Sequence, residues 1–334
     1  MGYREEEKQI QWKLRRIRHI LFAVFFFIFV ALCVFSAFVP PVTWKYYFSL
    51  PVLSPIGEGE LRMHFLDVGQ GDCTLIEFPD GKKMLVDGGD GQTEHTTTVM
   101  RYLNALKIDV IDYLVVTHTD QDHCGGLDTV LRYKTVKTVY YPEEDDVTVN
   151  AEYADFFAQL SASSCEKIFH RRNLRIASMD NRYPFDLAFL WPYGADIPSG
   201  ETEEDANARS AVFWLDYQGN SALFTGDVSR SVEETLLTHD TLGLLPTGVE
   251  LSSTEWLKVA HHGGDGSTGQ AFVEYLHTKS AIISCGLNNA YGHPTAGTLT
   301  TLRDAGTEIF RTDTHGTVTV TWWSDGKWAT QTQR

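Results

Sequence analysis

The segment His118-Thr-Asp-Gln-Asp-His-Cys-Gly-Gly126 places four imidazole and carboxylate groups within six residues. It follows an apolar, β-branched run at residues 111–117, which predicts a buried strand. The histidines and aspartates therefore lie on the loop that leaves a strand. Nitrogen and oxygen ligands of this kind suit zinc, manganese or iron. A solvated polar turn is the alternative, because Asp, His and Gly are ordinary turn residues.

An uncharged apolar segment, residues 20–39, follows a stretch at 1–19 with six basic and three acidic residues. Twenty helical residues reach about 30 Å, enough to cross a bilayer. The basic flank predicts a single-pass protein of the cell membrane with residues 1–19 in the cytoplasm and residues 61–334 outside it. A cleaved signal peptide is the alternative, although its apolar core is usually shorter. Prolines and glycines predict a linker at residues 40–60.

The chain beyond the basic tail is strongly acidic. The formal charge of the whole chain is −16, and the tail contributes +3, so residues 20–334 carry −19. Such a charge favours solubility and repels polyanions, so a nucleic-acid substrate would need a local basic patch, and no basic run is visible. The five cysteines have no CxxC spacing. Neither a disulfide scaffold nor a thiolate zinc site is indicated.

Two similar halves of strands and helices predict two sheets packed face to face with helices outside. In that arrangement the loops at the strand ends of both halves meet at one edge, where a site could assemble. The predicted strands are 61–66, 73–78, 83–86, 111–117, 135–141, 185–190, 211–217, 221–224, 256–260, 281–284, 307–310 and 317–323. The predicted helices are 95–106, one beginning at 126, 150–163, 228–238, 269–277 and 295–304.

Five further polar clusters stand at the predicted ends of apolar strands. Any single histidine there is more often a hydrogen-bonded structural residue than a ligand, but coincidence is a poor account of all five. Carboxylates in the first two clusters can orient metal-bound imidazoles without touching the ion. The candidate residues of the five clusters are Asp67, Gln70 and Asp72; Asp87; Asp227; His261 and His262; and His293.

The order of the motifs resembles the metallo-β-lactamase-fold domain of the ComEC competence proteins and their stand-alone relatives. The resemblance covers about residues 60–325. It implies an α+β four-layer αββα sandwich with a dinuclear metal site at the sheet edge. Family members are metal-dependent hydrolases, and the ComEC domain is regarded as a nuclease that acts on incoming DNA at the membrane. The motifs are Asp-Val-Gly-Gln-Gly-Asp, Val-Asp-Gly-Gly, His-x-Asp-x-Asp-His-x-Gly-Gly-Leu, Thr-Gly-Asp, Lys-x-x-His-His-Gly, Tyr-Gly-His-Pro and Arg-Thr-Asp.

The resemblance also implies the ligands of two divalent ions, zinc or manganese. Asp120 stands where the wider superfamily has histidine, and this hard anionic ligand favours manganese. A third histidine for the first ion is missing from residues 130–220, where His170 lies outside any motif. Asn207 and Ser210 match the branch's Asn-x-x-Ser element and would line that position. The implied ligands are His118 and Asp120 for the first ion, Asp122 and His123 for the second, and Asp227 bridging both. One of the paired histidines would complete the second site, and His262 is favoured over His261.

The ligands imply a hydrolytic mechanism. Two divalent ions side by side would lower the pKa of a water between them and hold the attacked centre in line. Asp122 or Asp227 would accept the proton of that water. His261 or His293 would stabilise the developing oxyanion or protonate the leaving group.

The leading expectation is a membrane-anchored phosphodiesterase or nuclease, with DNA among its candidate substrates. Lys258 and Arg311 would contact a phosphate, and solvated surface charges are the alternative for both. The charge of −19 favours a small envelope phosphodiester instead, such as a teichoic-acid or phosphocholine ester. The third class is a non-catalytic metal-binding protein of the same fold, which the intact ligand set disfavours.

Overall fold

The chain divides into two compact units, Met1–Phe48 and Ser49–Arg334. Most of the predicted linker at residues 40–60 lies outside the described residues, and its last residues lead into the first strand. The structure, a computed structural model, describes residues 2–38, 54–143, 150–178, 181–192 and 203–334.

The first unit is described by a single helix, α1 (Gly2–Phe38). Its segment Lys8–Ser36 is long and apolar enough to cross a membrane, by length and composition. The expected apolar helix near the N-terminus is therefore present. The helix begins well before the predicted apolar segment because the basic tail is rich in Glu, Gln, Lys and Arg, which are good helix formers.

The described part of the second unit contains fifteen strands. Most of them match the predicted strands within two residues. They are β1 (Glu60–Phe65), β2 (Thr74–Glu77), β3 (Lys83–Val86), β4 (Val110–Val115), β5 (Thr135–Tyr141), β6 (Glu166–Phe169), β7 (Arg175–Ala177), β8 (Phe185–Trp191), β9 (Val212–Tyr217), β10 (Asn220–Phe224), β11 (Trp256–Lys258), β12 (Ser280–Ile283), β13 (Glu308–Arg311), β14 (Val318–Trp323) and β15 (Trp328–Thr332).

Nine α-helices accompany these strands in the described residues. The short helices α3, α6 and α10 have no counterpart in the sequence-based prediction. In chain order the helices are α2 (Thr93–Ala105), α3 (Gln121–Cys124), α4 (Leu127–Tyr133), α5 (Ala151–Ala162), α6 (Glu203–Ala208), α7 (Arg230–Thr241), α8 (Gln270–Leu276), α9 (Ala296–Asp304) and α10 (Thr312–His315).

The strands form two sheets, as the sequence predicts. The first sheet has eight strands in the order β15-β14-β1-β2-β3-β4-β5-β6, and the second has seven in the order β13-β12-β11-β10-β9-β8-β7. The strands β3, β4 and β5 are parallel to one another, and so are β10, β11 and β12. The carboxyl ends of parallel strands reach the same edge of a sheet, so the loops that follow them are neighbours.

Successive side chains of β1 point to opposite faces of the first sheet, and both faces are covered. Phe65 faces the core between the sheets, where its ring stacks on Phe224 of the second sheet with centroids 5.9 Å apart. His64 points to the opposite face, and its Nδ1 lies 2.9 Å from the hydroxyl of Tyr102 on α2. Helix α2 therefore covers the outer face of the first sheet.

Helices also cover the outer face of the second sheet. Leu236 on α7, Phe272 on α8 and Leu302 on α9 pack in one buried cluster with Leu223 and Leu257 of the strands β10 and β11. The layers are helices, sheet, sheet and helices. The predicted αββα sandwich is thus confirmed.

Candidate metal centre

The site forms where the loops after β4, β10 and β11 meet. His123 lies on α3, Asp227 follows β10 and His262 follows β11. The Nε2 atoms of His123 and His262 are 3.4 Å apart, and each lies near Oδ2 of Asp227, at 3.2 and 3.3 Å. With Asp72, these residues offer four ligand atoms that all lie within 4.8 Å of one another.

The residues present fit a divalent cation. Oδ1 of Asp72, Oδ1 of Asp227 and Nε2 of His118 are buried and have no hydrogen-bond partner within the described residues. A buried carboxylate oxygen without a donor is costly, and a bound cation removes that cost. Mixed imidazole and carboxylate donors suit zinc or manganese.

The remaining predicted ligands lie beside this group of four. Oδ2 of Asp122 is 3.0 Å from Nε2 of His262, and 28% of the side chain of Asp122 is exposed to solvent. Nε2 of His118 lies 3.6 Å from Oδ2 of Asp120. The rings of His118 and His123 have their centroids 4.1 Å apart. The structure therefore brings all six predicted ligands into one region, with Asp72 as a seventh candidate.

Asp87 fixes the orientation of His123. Its Oδ2 lies 2.8 Å from Nδ1 of His123 and also accepts the hydroxyl of Thr117 at 2.7 Å. Nδ1 of His123 therefore donates to a carboxylate, which leaves Nε2 free to bind an ion. This is the role predicted for Asp87.

Thr117 is a functional residue that the sequence analysis missed. Its hydroxyl lies 3.0 Å from Nδ1 of His118 and 3.2 Å from Nδ1 of His123, and its backbone N–H donates to Asp87 at 2.8 Å. The hydroxyl thus touches both imidazoles and the carboxylate that orients one of them. No sequence signal marks it, because a threonine at a strand end is ordinary.

The backbone turns sharply at the paired histidines. His261 and His262 have φ angles of 50° and 54°, in the left-handed region that non-glycine residues rarely adopt. This turn aims Nε2 of His262 at Asp227, while Nδ1 lies 2.9 Å from the carbonyl of Ser284. Gly263 has φ 83°, and a Cβ there would lie 2.6 Å from Cβ of Pro294. Glycine is therefore required after the two histidines.

A second glycine permits close approach on the other side of the site. Gly71 has φ 135°, and a Cβ there would lie 2.3 Å from the carbonyl oxygen of Asp122. The N–H of Asp72 donates to that same carbonyl at 3.0 Å. The Gly-Gln-Gly-Asp segment therefore holds the helix that carries Asp122 and His123.

The charges of the cluster shift one another strongly. Burial alone would lower the pKa of His262, but the charge of Asp227 and hydrogen bonds to Asp122 and Asp227 raise it to about 10. Burial would also lower the pKa of His123, but the charges of Asp227 and Asp87 outweigh this effect. The pKa of His123 is therefore raised well above its usual value. Burial would raise the pKa of Asp227, but the two imidazoles hold it well below its usual range.

The structure places Lys258 differently from the prediction. Its ammonium group is buried, 2.7 Å from Oδ2 of Asp72, and it donates to the carbonyl of Val259. Only 4% of its side chain is exposed. Lys258 is therefore a counter-charge to Asp72 inside the protein, and neither a solvated surface charge nor a cation open to a substrate phosphate.

Arg311 and Asp67 are paired with other charged residues. Nε of Arg311 donates to Asp313 at 2.9 Å, so its charge is already paired. Oδ2 of Asp67 accepts from Arg334 at 2.8 Å, and this carboxylate orients no imidazole of the cluster. The reason is the same in both cases, since each charge has an opposite charge within reach.

The Asn-x-x-Ser element lies next to Asp227. The hydroxyl oxygen of Ser210 accepts the N–H of Asp227 at 3.1 Å, and both Ser210 and Asn207 are buried. Ser210 therefore fixes the backbone of the ligand candidate Asp227. His170 lies outside the group of four ligand candidates, with its ring parallel to Phe189, and burial lowers its pKa to about 4.

His261 and His293 form the rim of the site. Both are partly exposed, and their ring centroids are 5.4 Å apart. The ring of His293 also lies 6.4 Å from that of His262, with an interplanar angle of 24°. Burial and the neighbouring histidines lower the pKa of His293. It is therefore neutral at pH 7.

Replacing His262 should weaken binding of a divalent ion. We expect His262→Asn to lower manganese or zinc affinity by at least about 10- to 100-fold. Removing a residue that only hydrogen-bonds a metal ligand already costs that much, and His262 would bind the ion itself. Titration calorimetry with a competing chelator measures it. The control is His277→Asn, the same change at an exposed histidine that also has a positive φ. Equal affinities for the two variants would rule out His262 as a ligand.

Affinity for the ion should rise with pH. His262 has a pKa of about 10 and carries a proton at pH 7, which a cation must displace. Asp122 and Asp227 have lowered pKa values and stay ionised above pH 5. For each proton that the ion displaces, we expect the affinity to rise by up to about tenfold per pH unit between about pH 6 and about pH 9. Calorimetry in two buffers measures the proton release. An affinity independent of pH would contradict this.

Known proteins resemble this chain in sequence and in fold. The family model of the metallo-beta-lactamase superfamily matches residues 66–286. ComE operon protein 3 of Bacillus subtilis is 29% identical over 289 residues, which cover 81% of this chain and 34% of that protein. Competence protein ComA of Neisseria gonorrhoeae is 27% identical over 265 residues, covering 78% of this chain and 32% of that protein. The chain thus spans about a third of the length of these relatives.

A solved structure of zinc-bound PqqB from Methylobacterium extorquens superposes with a TM-score of 0.42 and 10% identity, over 72% of this chain and 85% of that chain. The family model covers well over half of the present sequence. The competence proteins among the relatives confirm the resemblance that the motifs indicated. The chain belongs to the metallo-beta-lactamase superfamily.

Proposed function

We propose that this protein is a membrane-anchored, metal-dependent phosphodiesterase that cleaves DNA outside the cytoplasm. The observation that carries the proposal is the buried group of Asp72, His123, Asp227 and His262 in a chain related to competence proteins. Hydrolysis is the chemistry of the superfamily. One of the relatives is named a competence protein, and this name favours DNA as the substrate.

The site would hold two divalent ions, manganese or zinc. His123, His262 and Asp227 would bind one, with Asp122 or Asp72 beside them, and His118 and Asp120 would bind the other with Asp227 between. Such ions would polarise the phosphoryl oxygens and lower the pKa of a nearby water.

Residues of the chain would move the proton and hold the phosphate. Asp122 is the more exposed of the two candidate proton acceptors, whereas Asp227 is only 3% exposed, so a water on the substrate side reaches Asp122 first. His293 is neutral at pH 7 and can offer a ring N–H to a developing oxyanion or to the leaving group. His261 shares this rim and can assist.

The proposed organisation follows the sequence. Residues 1–19 would be a cytoplasmic tail, residues 20–39 the membrane anchor, residues 40–60 a linker and residues 61–334 the hydrolase domain. The apolar helix α1 and the basic tail before the anchor support this arrangement.

A second candidate function is hydrolysis of a small envelope phosphodiester, such as a teichoic-acid or phosphocholine ester. The net charge of −19 over residues 20–334 favours it, because a small ester meets less long-range repulsion than a DNA strand does. Both candidates use the same centre.

The two candidates separate by their preferred substrate. With manganese present, we expect the full-length protein to cleave single-stranded DNA with a higher kcat/KM than bis-p-nitrophenyl phosphate. His262→Asn should lower both rates by at least about 100-fold, because it removes a ligand, and His277→Asn should leave them unchanged.

Each result has a definite meaning. Cleavage of the small ester without cleavage of DNA would favour the second candidate. Equal rates for His262→Asn and His277→Asn would mean that the centre described above is not the active one. No cleavage of either substrate with manganese or zinc would contradict the hydrolase proposal.

Membrane topology can be tested separately. An epitope placed after Arg334 should be removed by protease added to spheroplasts, whereas one placed before Met1 should be protected, because the positive flank stays in the cytoplasm. Immunoblotting measures both, and a soluble cytoplasmic protein controls for lysis. Protection of the C-terminal epitope would overturn the proposed orientation.

A further inference from the structure

The loop of residues 286–293 carries two apolar side chains that point into solvent beside the metal centre. Leu287 and Tyr291 are each 68% exposed, which makes them the most exposed large apolar side chains of the described residues in 54–334. Single exposed apolar residues are common, but these two share one short loop at the rim of a candidate active site. Their position suggests a contact with a ligand.

The loop is firmly held. Oδ1 of Asn289 accepts the backbone N–H groups of Tyr291 and His293 at 3.2 and 3.0 Å, and its Nδ2 donates to the carbonyl of Gly286 at 2.9 Å. The N–H of Gly286 donates to the side chain of Gln70 at 3.2 Å. The exposure of Tyr291 is therefore built into the loop conformation. An aromatic ring presented in a fixed position loses little entropy when it binds a partner.

A series of stacked rings leads from Tyr291 to the metal centre. The ring of Tyr291 lies 5.8 Å from that of His293 at an interplanar angle of 28°. The ring of His293 in turn lies 6.4 Å from that of His262 at 24°. Two ring-to-ring steps therefore separate the exposed face from a ligand candidate. A nucleotide whose phosphate lies at the centre can place its own base, or the next one, on Tyr291.

We propose that Tyr291, together with Leu287 of the same loop, is a stacking platform for an unpaired nucleobase of the substrate strand. This inference rests on the proposed function and specifies its substrate as single-stranded. Every base has a π-face, so the platform accepts any base. Bases of a duplex are already stacked and paired, so a double strand cannot use it without opening. Stacking also provides affinity that does not depend on positive charge, which suits an acidic protein.

The platform predicts a specific dependence on the base. In Tyr291→Ala, the ratio of kcat/KM for a single-stranded oligonucleotide to that for an abasic strand of equal length should fall by about 5- to 150-fold, the range for loss of one stacked base. Tyr291→Phe should keep the ratio, because the ring remains. Leu287→Ala should lower it less, because a smaller apolar contact is lost.

Leu242→Ala is the control. Leu242 is 64% exposed and follows α7, which begins near Asp227 and carries Leu242 about one helix length away from the centre. This variant should leave the ratio unchanged. Binding of the same two strands, measured by fluorescence anisotropy with manganese, gives a second readout that does not require cleavage.

The outcomes separate the platform from the nuclease proposal. Cleavage of DNA with an unchanged ratio in Tyr291→Ala would overturn the platform and leave the nuclease standing. Base-dependent binding lost in Tyr291→Ala, without cleavage by the unmodified protein, would support the platform and contradict the nuclease. Equal losses of kcat/KM on the base-containing and the abasic strand would also overturn the platform, because the loss would not depend on the base.

Discussion

Four carboxylates converge around His123 and His262 where the two sheets meet, and their mutual repulsion is the constraint on which the rest of the structure depends. Buried like charges destabilise a fold unless opposite charges lie among them. Lys258 lies 2.7 Å from Asp72, and two imidazoles lie between the other carboxylates. Divalent cations would complete this balance and release the imidazole protons. The four are Asp72, Asp87, Asp122 and Asp227.

The packing of the two sheets brings these charges close together. Each of the four carboxylates comes from a different connection after a strand, and these connections belong to both sheets. The apolar core between the sheets, with the ring stack of Phe65 and Phe224, supplies the attraction that brings the loops together. Hydrogen bonds to Thr117 and Ser284 then fix the directions of the imidazoles. Packing sets the approach of the loops, and hydrogen bonds set the orientation of the side chains.

The sequence was sufficient to predict the layers and most ligand candidates. An apolar strand marks the core, and a His or Asp directly after it marks the edge of the sheet where the site forms. Both signals can be read from the sequence because they depend only on neighbouring residues. The pairing of β1 with β14 could not be predicted, because it joins residues about 250 positions apart. The edge strands β6, β7 and β15 were missed because they are largely exposed and lack an apolar pattern.

Other differences arise from side-chain partners in three dimensions. Lys258 looks like any basic residue in the sequence, and only the approach of Asp72 from another loop explains its burial. Asp72 was expected to orient an imidazole, and it lies among the ligand candidates instead. Thr117 stands in none of the quoted motifs, and Tyr291 opens the Tyr-Gly-His-Pro motif, but the exposure of its ring is visible only in the structure.

The left-handed backbone at His261 and His262 has a consequence for how such a chain can evolve. Each non-glycine residue in this conformation costs on the order of 1–3 kcal/mol, and two of them stand in succession. Glycine or asparagine would relieve that strain, so a substitution to either residue would give a more stable protein that lacks the imidazole. A lineage no longer under selection for the chemistry would drift in that direction, trading the two imidazoles for a relaxed turn while the sandwich persisted.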